Sequence, residues 1–304
     1  MGGMVALPVP TNLVESTMSD GSAGQRDWFT QLPGIVRELA ERWSLRLGEP
    51  YQPGGQCAWV APVRDDAGRE LVLKVGWRHD EAAHEADGLR AWSGHGAVLL
   101  HESRTWASTS ALLLERCRPG TTLATVLAEP KQDVVVAGLL RRLWITPLDG
   151  CTFRPLQAMC DAWALEFEAK LTAFPGALDS GLARAGIDLF RHLPSTAGQR
   201  VLLCTDLHAE NVLAAEREPW LMIDPKPYVG DPAYDGLQHM LNCEDRLATD
   251  PLGLARRMAD LLGLEGERVA QWLFARCVID RRPLAPHRRR RSRACVTGVH
   301  RVAI

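Results

Sequence analysis

The sequence predicts an α+β fold in two lobes, the first rich in strands and the second mainly helical. Three observations carry this. Residues 45–115 hold short apolar runs and one helical stretch rich in Ala and Glu. From Leu123 onward apolar residues recur at helical spacing. Within that helical half lies a polar loop, Thr205 to Asn211, between short strand-like runs at 200–203 and 220–223 that look hairpin-like around Glu216–Pro219. A chain of 304 residues is long enough for two lobes with cores of their own.

Taken in order, residues 1–25 lack periodicity, are rich in Gly, Ser and Pro, and predict a loose N-terminus. Trp28, Phe29, Leu32, Ile35, Val36, Leu39 and Trp43 recur as on one face of a helix. Gln52-Pro53-Gly54-Gly55 predicts a tight turn leading into a strand, and Glu70–Val75 a strand with Lys74 among apolar residues. His79–Trp92 predicts a helix that ends before Gly94. Ser110–Gly120 reads as an apolar strand running into a turn. Val134–Trp144 and Leu156–Leu171 are the clearest later helices, and helices resume near residue 233. The implied divisions are a flexible 1–25, an N-lobe over 26–116, a C-lobe over 117–280 and an Arg-rich tail over 281–304; no internal repeat is visible.

Composition narrows the classes. The chain is 46% apolar with a formal charge of −2, an ordinary globular balance, and no apolar run approaches the length of a membrane span. Its eight cysteines form no C-x-x-C and, by spacing, no metal-ligand cluster with His. Without a signal-peptide pattern, a cytoplasmic protein with reduced thiols is expected. Cys204 has no base nominated by spacing and reads as a buried structural thiol. The tail holds eight arginines and no acid, so the rest of the chain carries −10, the overall −2 less the tail's +8. Such a run suggests a disordered arm, a nucleic-acid patch or an altered reading frame, with nucleic-acid binding the least favoured.

The chemistry resides in Asp206, Asn211 and Asp224. An Asp five residues before an Asn, then a second Asp after a short apolar run, is the spacing of protein-kinase-like phosphotransferases. There the first Asp orients the acceptor hydroxyl, while the Asn and the second Asp hold Mg²⁺ on ATP, a hard cation that prefers oxygen ligands. The alternative is a pair of ordinary polar turns. Upstream parts follow in kinase order. Lys74 is either an edge-strand solubility device or the strand lysine on the ATP phosphates. Glu85 is the candidate partner for Lys74, with Glu81 as runner-up four residues earlier. Gly54 and Gly55 suit a phosphate-covering loop, although G-x-G-x-x-G is absent and an ordinary hairpin competes. The turn at Glu115 and Cys117 suits a hinge whose backbone bonds adenine. Together these parts predict a two-lobed protein-kinase-like fold that binds ATP and Mg²⁺.

The stretches Leu207–Trp220 and Ile223–Asp235 resemble the aminoglycoside phosphotransferase superfamily. Within it the likeness is to the streptomycin 6-kinases and hydroxyurea phosphotransferases of actinomycetes, and Gln238–Cys243 leans toward the hydroxyurea members. The resemblance covers roughly residues 27 to 280. It implies Asp206 at the acceptor hydroxyl, Asn211 and Asp224 on Mg²⁺, Lys74 on ATP phosphates and Glu85 orienting Lys74. Asp231 and Asp235 fall in the family's G-D-P-x-x-D segment, where capping and loop support compete with substrate contact. Cys204-Thr205 stands where many relatives have His-Gly or His-Trp, and the Arg-rich tail stands where relatives end in an amphipathic helix. Asp231, Asp235, Glu244, Asp245 and Asp250 offer an acidic field that would steer a cationic acceptor. The resulting expectation is an ATP-dependent O-phosphotransferase that inactivates an antibiotic with a hydroxyl group, of hydroxyurea or streptomycin type. A kinase of an endogenous metabolite and a non-catalytic nucleotide- or nucleic-acid-binding protein are the alternatives.

Overall fold

The computed structural model describes residues 7–280, except 20, 148–152 and 177. The chain divides at Gly120 into two compact units. The Arg-rich tail, Cys151 and Cys295 lie outside the described residues.

The first unit holds α1 (Thr11–Ser19), α2 (Ala23–Arg42), β1 (Arg46–Leu47), β2 (Ala58–Arg64), β3 (Glu70–Trp77), α3 (Glu85–Trp92), β4 (Leu100–Trp106) and β5 (Thr109–Glu115). The strands form one antiparallel sheet in the order β1-β2-β3-β5-β4. The Ser22 hydroxyl caps α2 by accepting the Gln25 N–H at 3.1 Å. Trp28, Leu32, Val36 and Leu39, spaced to share one helical face, are fully buried. They join Leu71, Leu73 and Val75, the alternating residues of β3, in a single core. The same alternation turns Lys74 to the opposite face of the sheet.

Two expectations for this unit need correction. Residues 11–19 are an ordered helix whose Leu13 is fully buried. A nine-residue helix is too short to show periodicity, and the groups that hold it lie some forty residues away. The stretch 79–92 is helical only from Glu85. A 3₁₀ turn occupies Asp80–Ala82, and His84, with φ −115° and ψ 14° and no side-chain cap, separates the two.

The second unit holds α4 (Leu123–Val126), α5 (Glu129–Leu143), α6 (Leu156–Ala173), α7 (Ser180–His192), β6 (Val201–Leu203), β7 (Val212–Ala214), β8 (Trp220–Met222), β9 (Tyr228–Gly230), α8 (Pro232–Asp235), α9 (Leu237–Asn242), α10 (Glu244–Thr249), α11 (Pro251–Leu262) and α12 (Gly266–Ile279). Its core centres on Trp272, which meets Phe190 and Tyr234 edge-on at centroid distances of 6.0 and 5.0 Å. The hairpin around residues 215–219 joins β7 to β8. The strand at 201–203 pairs instead with β9, in the register Leu202↔Val229. Both runs are short apolar triplets, so composition alone does not choose between these partners. No helix among the described residues is long and apolar enough to cross a membrane.

Candidate active site

In the first unit Lys74 lies on the central strand, opposite Val60 and Leu112, so it is no edge-strand device. Its ammonium donates to both carboxylate oxygens of Glu85 at 2.7 and 2.8 Å. The two side chains are 15% and 5% exposed, an enclosure in which losing either partner would strand a charge. Glu81 sits in the 3₁₀ turn rather than on the helix of Glu85.

Gly54 and Gly55 lie in the connection from β1 to β2. Gly54 has φ +79°, and any side chain there would run into Pro10. The segment leading into α1 is laid along this connection. The Thr11 N–H donates to Gln52 Oε1 at 3.1 Å and the Asn12 N–H to the Pro53 carbonyl at 3.0 Å. Asn12 Nδ2 donates to the Gly54 carbonyl at 3.0 Å, and the Ser16 hydroxyl donates to the Gln56 carbonyl. Trp59 Nε1 donates to the Pro8 carbonyl at 2.9 Å. At the far end of the sheet the Glu115 N–H donates to the Leu99 carbonyl, and its carboxylate accepts the Leu99 N–H. Cys117 follows, before the turn at Gly120, whose φ is +74°.

In the second unit two residues have left-handed backbone, Thr205 (φ 52°) in the loop after β6 and Asp224 (φ 53°) in the segment after β8. Asn211 Nδ2 donates to the Asp206 carbonyl at 3.0 Å, which turns the side-chain oxygen of Asn211 the other way. The Ile223 N–H donates to the Asn211 carbonyl at 2.9 Å, so Asn211 and Asp224 flank one end of the β7–β8 hairpin. An amide oxygen and a carboxylate so placed suit a hard divalent cation.

Asp235 is fully buried and holds this loop from beneath. It accepts the Cys204 N–H at 3.2 Å, the Thr205 N–H at 2.6 Å and Trp144 Nε1–H at 3.0 Å. Burial nevertheless raises its carboxyl to about 6, against the pull of those donors. Burial likewise pushes the Cys204 thiol well up, with the Asp235 charge adding to it, as suits an inert structural cysteine. Asp231 caps α8 through the Ala233 N–H and accepts from Arg268 Nε and Trp272 Nε1, both at 2.6 Å. Asp250 caps α11 through the Gly253 N–H. Three of the five acids expected to make a steering field are therefore engaged in holding the fold.

Spacing also concealed a cluster. Ligand atoms of Asp133, His239 and Cys243 lie within 4.8 Å of one another, correcting the expectation that no such group with His exists. Its electrostatics do not favour a cation. Asp133, fully buried, accepts from Arg246 at 3.0 and 2.8 Å, from Arg257 Nε at 2.7 Å and meets His239 Nε2 at 3.0 Å. Burial pushes its carboxyl up, but these partners outweigh that and hold it well below the usual carboxylate range. Burial also pushes the Cys243 thiol up to about 12. The cluster is a charge knot joining α5 to α9, α10 and α11.

Residues 42–281 match the family described as "Aminoglycoside/hydroxyurea antibiotic resistance kinase". The chain is 35% identical over 274 residues to a streptomycin 6-kinase of Streptomyces griseus, covering 88% of each. It is 36% identical over 278 residues to a hydroxyurea phosphotransferase of Kitasatospora aureofaciens, covering 89% of this chain and 78% of that one. In fold it is similar to an aminoglycoside phosphotransferase of Streptomyces rimosus solved with ADP and streptomycin. There the TM-score is 0.54 at 15% identity, over 82% of this chain and 98% of that one. The chain thus belongs to the aminoglycoside/hydroxyurea antibiotic resistance kinases, ATP-dependent phosphotransferases that act on a small-molecule alcohol.

Proposed function

We propose that this protein is a cytoplasmic antibiotic kinase that transfers the γ-phosphoryl group of ATP to a hydroxyl of a streptomycin- or hydroxyurea-type acceptor. One observation carries the reading: the amide of Asn211 is oriented by the backbone of Asp206 in the loop after β6, and the Ile223 N–H on the Asn211 carbonyl sets Asp224 beside Asn211. In this reading Asp206 aligns the acceptor hydroxyl and takes its proton. Asn211 and Asp224 would hold Mg²⁺, whose charge neutralises the phosphate oxygens. Lys74, steadied by Glu85, binds the nucleotide phosphates, the Gly54-Gly55 connection covers them, and backbone at Glu115 and Cys117 contacts adenine. Transfer of this kind demands positioning and charge neutralisation more than covalent help from the protein.

The acids of the G-D-P-x-x-D segment give no preference between acceptors, because Asp231 and Asp235 are buried and hydrogen-bonded within the unit. The test is ADP release from the full chain with ATP, Mg²⁺ and a panel of streptomycin, other aminoglycosides, hydroxyurea and simple sugars. Turnover of streptomycin or hydroxyurea that disappears in Asp206→Ala supports the proposal. Turnover of sugars alone, or activity indifferent to Asp206→Ala, overturns it.

A further inference from the structure

Lys226 stands two residues after Asp224, between Pro225 and Pro227, and spacing assigned it no role. Both its backbone and its side chain dock on the Asp206 loop. Its N–H donates to the Cys204 carbonyl at 2.9 Å, and its own carbonyl accepts the Thr205 hydroxyl at 2.6 Å. The flanking prolines restrict the backbone on either side. The ammonium donates to Oδ2 of Asp206. Among the described residues Lys226 is the cation paired with Asp206, and no hydrogen bond reaches Oδ1.

We infer that Lys226 is a positioning residue for phosphoryl transfer, gripping Oδ2 of Asp206 so that Oδ1 is presented to the acceptor hydroxyl. The inference rests on the reading of Asp206 proposed above. In the step itself the acceptor oxygen bonds to the γ-phosphorus as the bond to the β–γ bridging oxygen breaks. ADP leaves with that electron pair, and the hydroxyl proton passes to Oδ1. In a loose transition state the leaving bond is largely broken early, so the step asks little of the base. Alignment is the scarcer quality, because the terminal torsion of an aspartate is broad and soft. A lysine fixed at its own backbone removes that softness.

The experiment compares Lys226→Met, Lys226→Arg and Asp206→Ala in the full chain. ADP release is measured with streptomycin, with hydroxyurea and with water alone as acceptor, alongside thermal melting. We expect Lys226→Met to lose about 100-fold in kcat, the scale of a small misalignment. Its KM for ATP should stay within about three-fold and its melting point within a few degrees. Lys226→Arg should recover at least ten-fold of that loss by restoring a cation. The inference is overturned if Lys226→Met keeps kcat within three-fold of wild type while Asp206→Ala is inactive. Equal impairment of the Met and Arg variants, or a loss that tracks unfolding, also overturns it. If Asp206→Ala itself turns over normally, the reading of Asp206 fails and this inference fails with it.

Discussion

Replacing Asp235 with alanine should unseat the Asp206 loop without touching any group proposed to meet substrate. The side chain is fully buried and receives three donors, the N–H groups of Cys204 and Thr205 and the indole N–H of Trp144. Each buried donor left without a partner costs about 1–3 kcal/mol. Against this, the wild-type carboxylate sits ionised at neutral pH although burial raises it to about 6 from 3.8, a penalty of about 3 kcal/mol that the variant escapes. Three such donors total about 3–9 kcal/mol, so the net loss should be up to about 6 kcal/mol and centred near 3, measured by urea unfolding of the second unit's transition at pH 7. The carboxyl is raised in the folded state, so its contribution is fully present below pH 3.8 and declines as pH rises through about 6. Asp235→Asn should therefore cost more, relative to wild type, at pH 4.5 than at pH 7.5. Activity should fall with the loop, by at least ten-fold in kcat. A loss under 1 kcal/mol with unchanged kcat, or a cost that grows with pH, would refute this reasoning.

Asp206→Ala should lower kcat by 10²-fold or more, the usual range for removing a positioned acid–base group, with a melting point near wild type. Glu85→Ala should raise KM for ATP by roughly 10- to 100-fold, because Lys74 loses two hydrogen bonds to a charged partner. Asp133→Asn should cost about 1–3 kcal/mol at pH 7, because Arg257 loses its carboxylate and Arg246 keeps only the longer contact with Glu129. The Asp133 carboxyl is depressed in the folded state, so its stabilisation is present above pH 3.8 and fades as pH falls below it. The gap between Asp133→Asn and wild type should then narrow in urea titrations at pH 3. Asn12→Ala removes a side-chain bond to the Gly54 carbonyl and should cost about 1 kcal/mol in the first unit's unfolding.

What was legible in the sequence was what is local. Asp206, Asn211 and Asp224 fall within nineteen residues, and the bonds around them join the loop after β6 to the base of the β7–β8 hairpin. Lys74 and Glu85 are eleven apart, close enough for strand-then-helix order to pair them. What escaped was long-range. The Asp133 knot joins residues more than one hundred positions apart, and no periodicity encodes such a meeting. The docking of residues 8–16 on the β1–β2 connection spans some forty residues, so an ordered helix looked like a loose end. The β6–β9 pairing was hidden because several apolar triplets competed for the same partners. Lys226 was in plain view two residues past Asp224, but only its contact with Asp206 distinguishes it from any surface lysine.

The left-handed backbone at Thr205 bears on how this enzyme can change over generations. A non-glycine residue there costs on the order of 1 kcal/mol, and glycine would relieve it. Glycine would also delete the hydroxyl that fastens the loop to the Lys226 carbonyl. The lost bond costs about as much stability as the relieved strain returns, so endurance alone leaves this single codon nearly neutral. Libraries screened for activity should therefore keep threonine at position 205 more strictly than libraries screened only for thermal endurance.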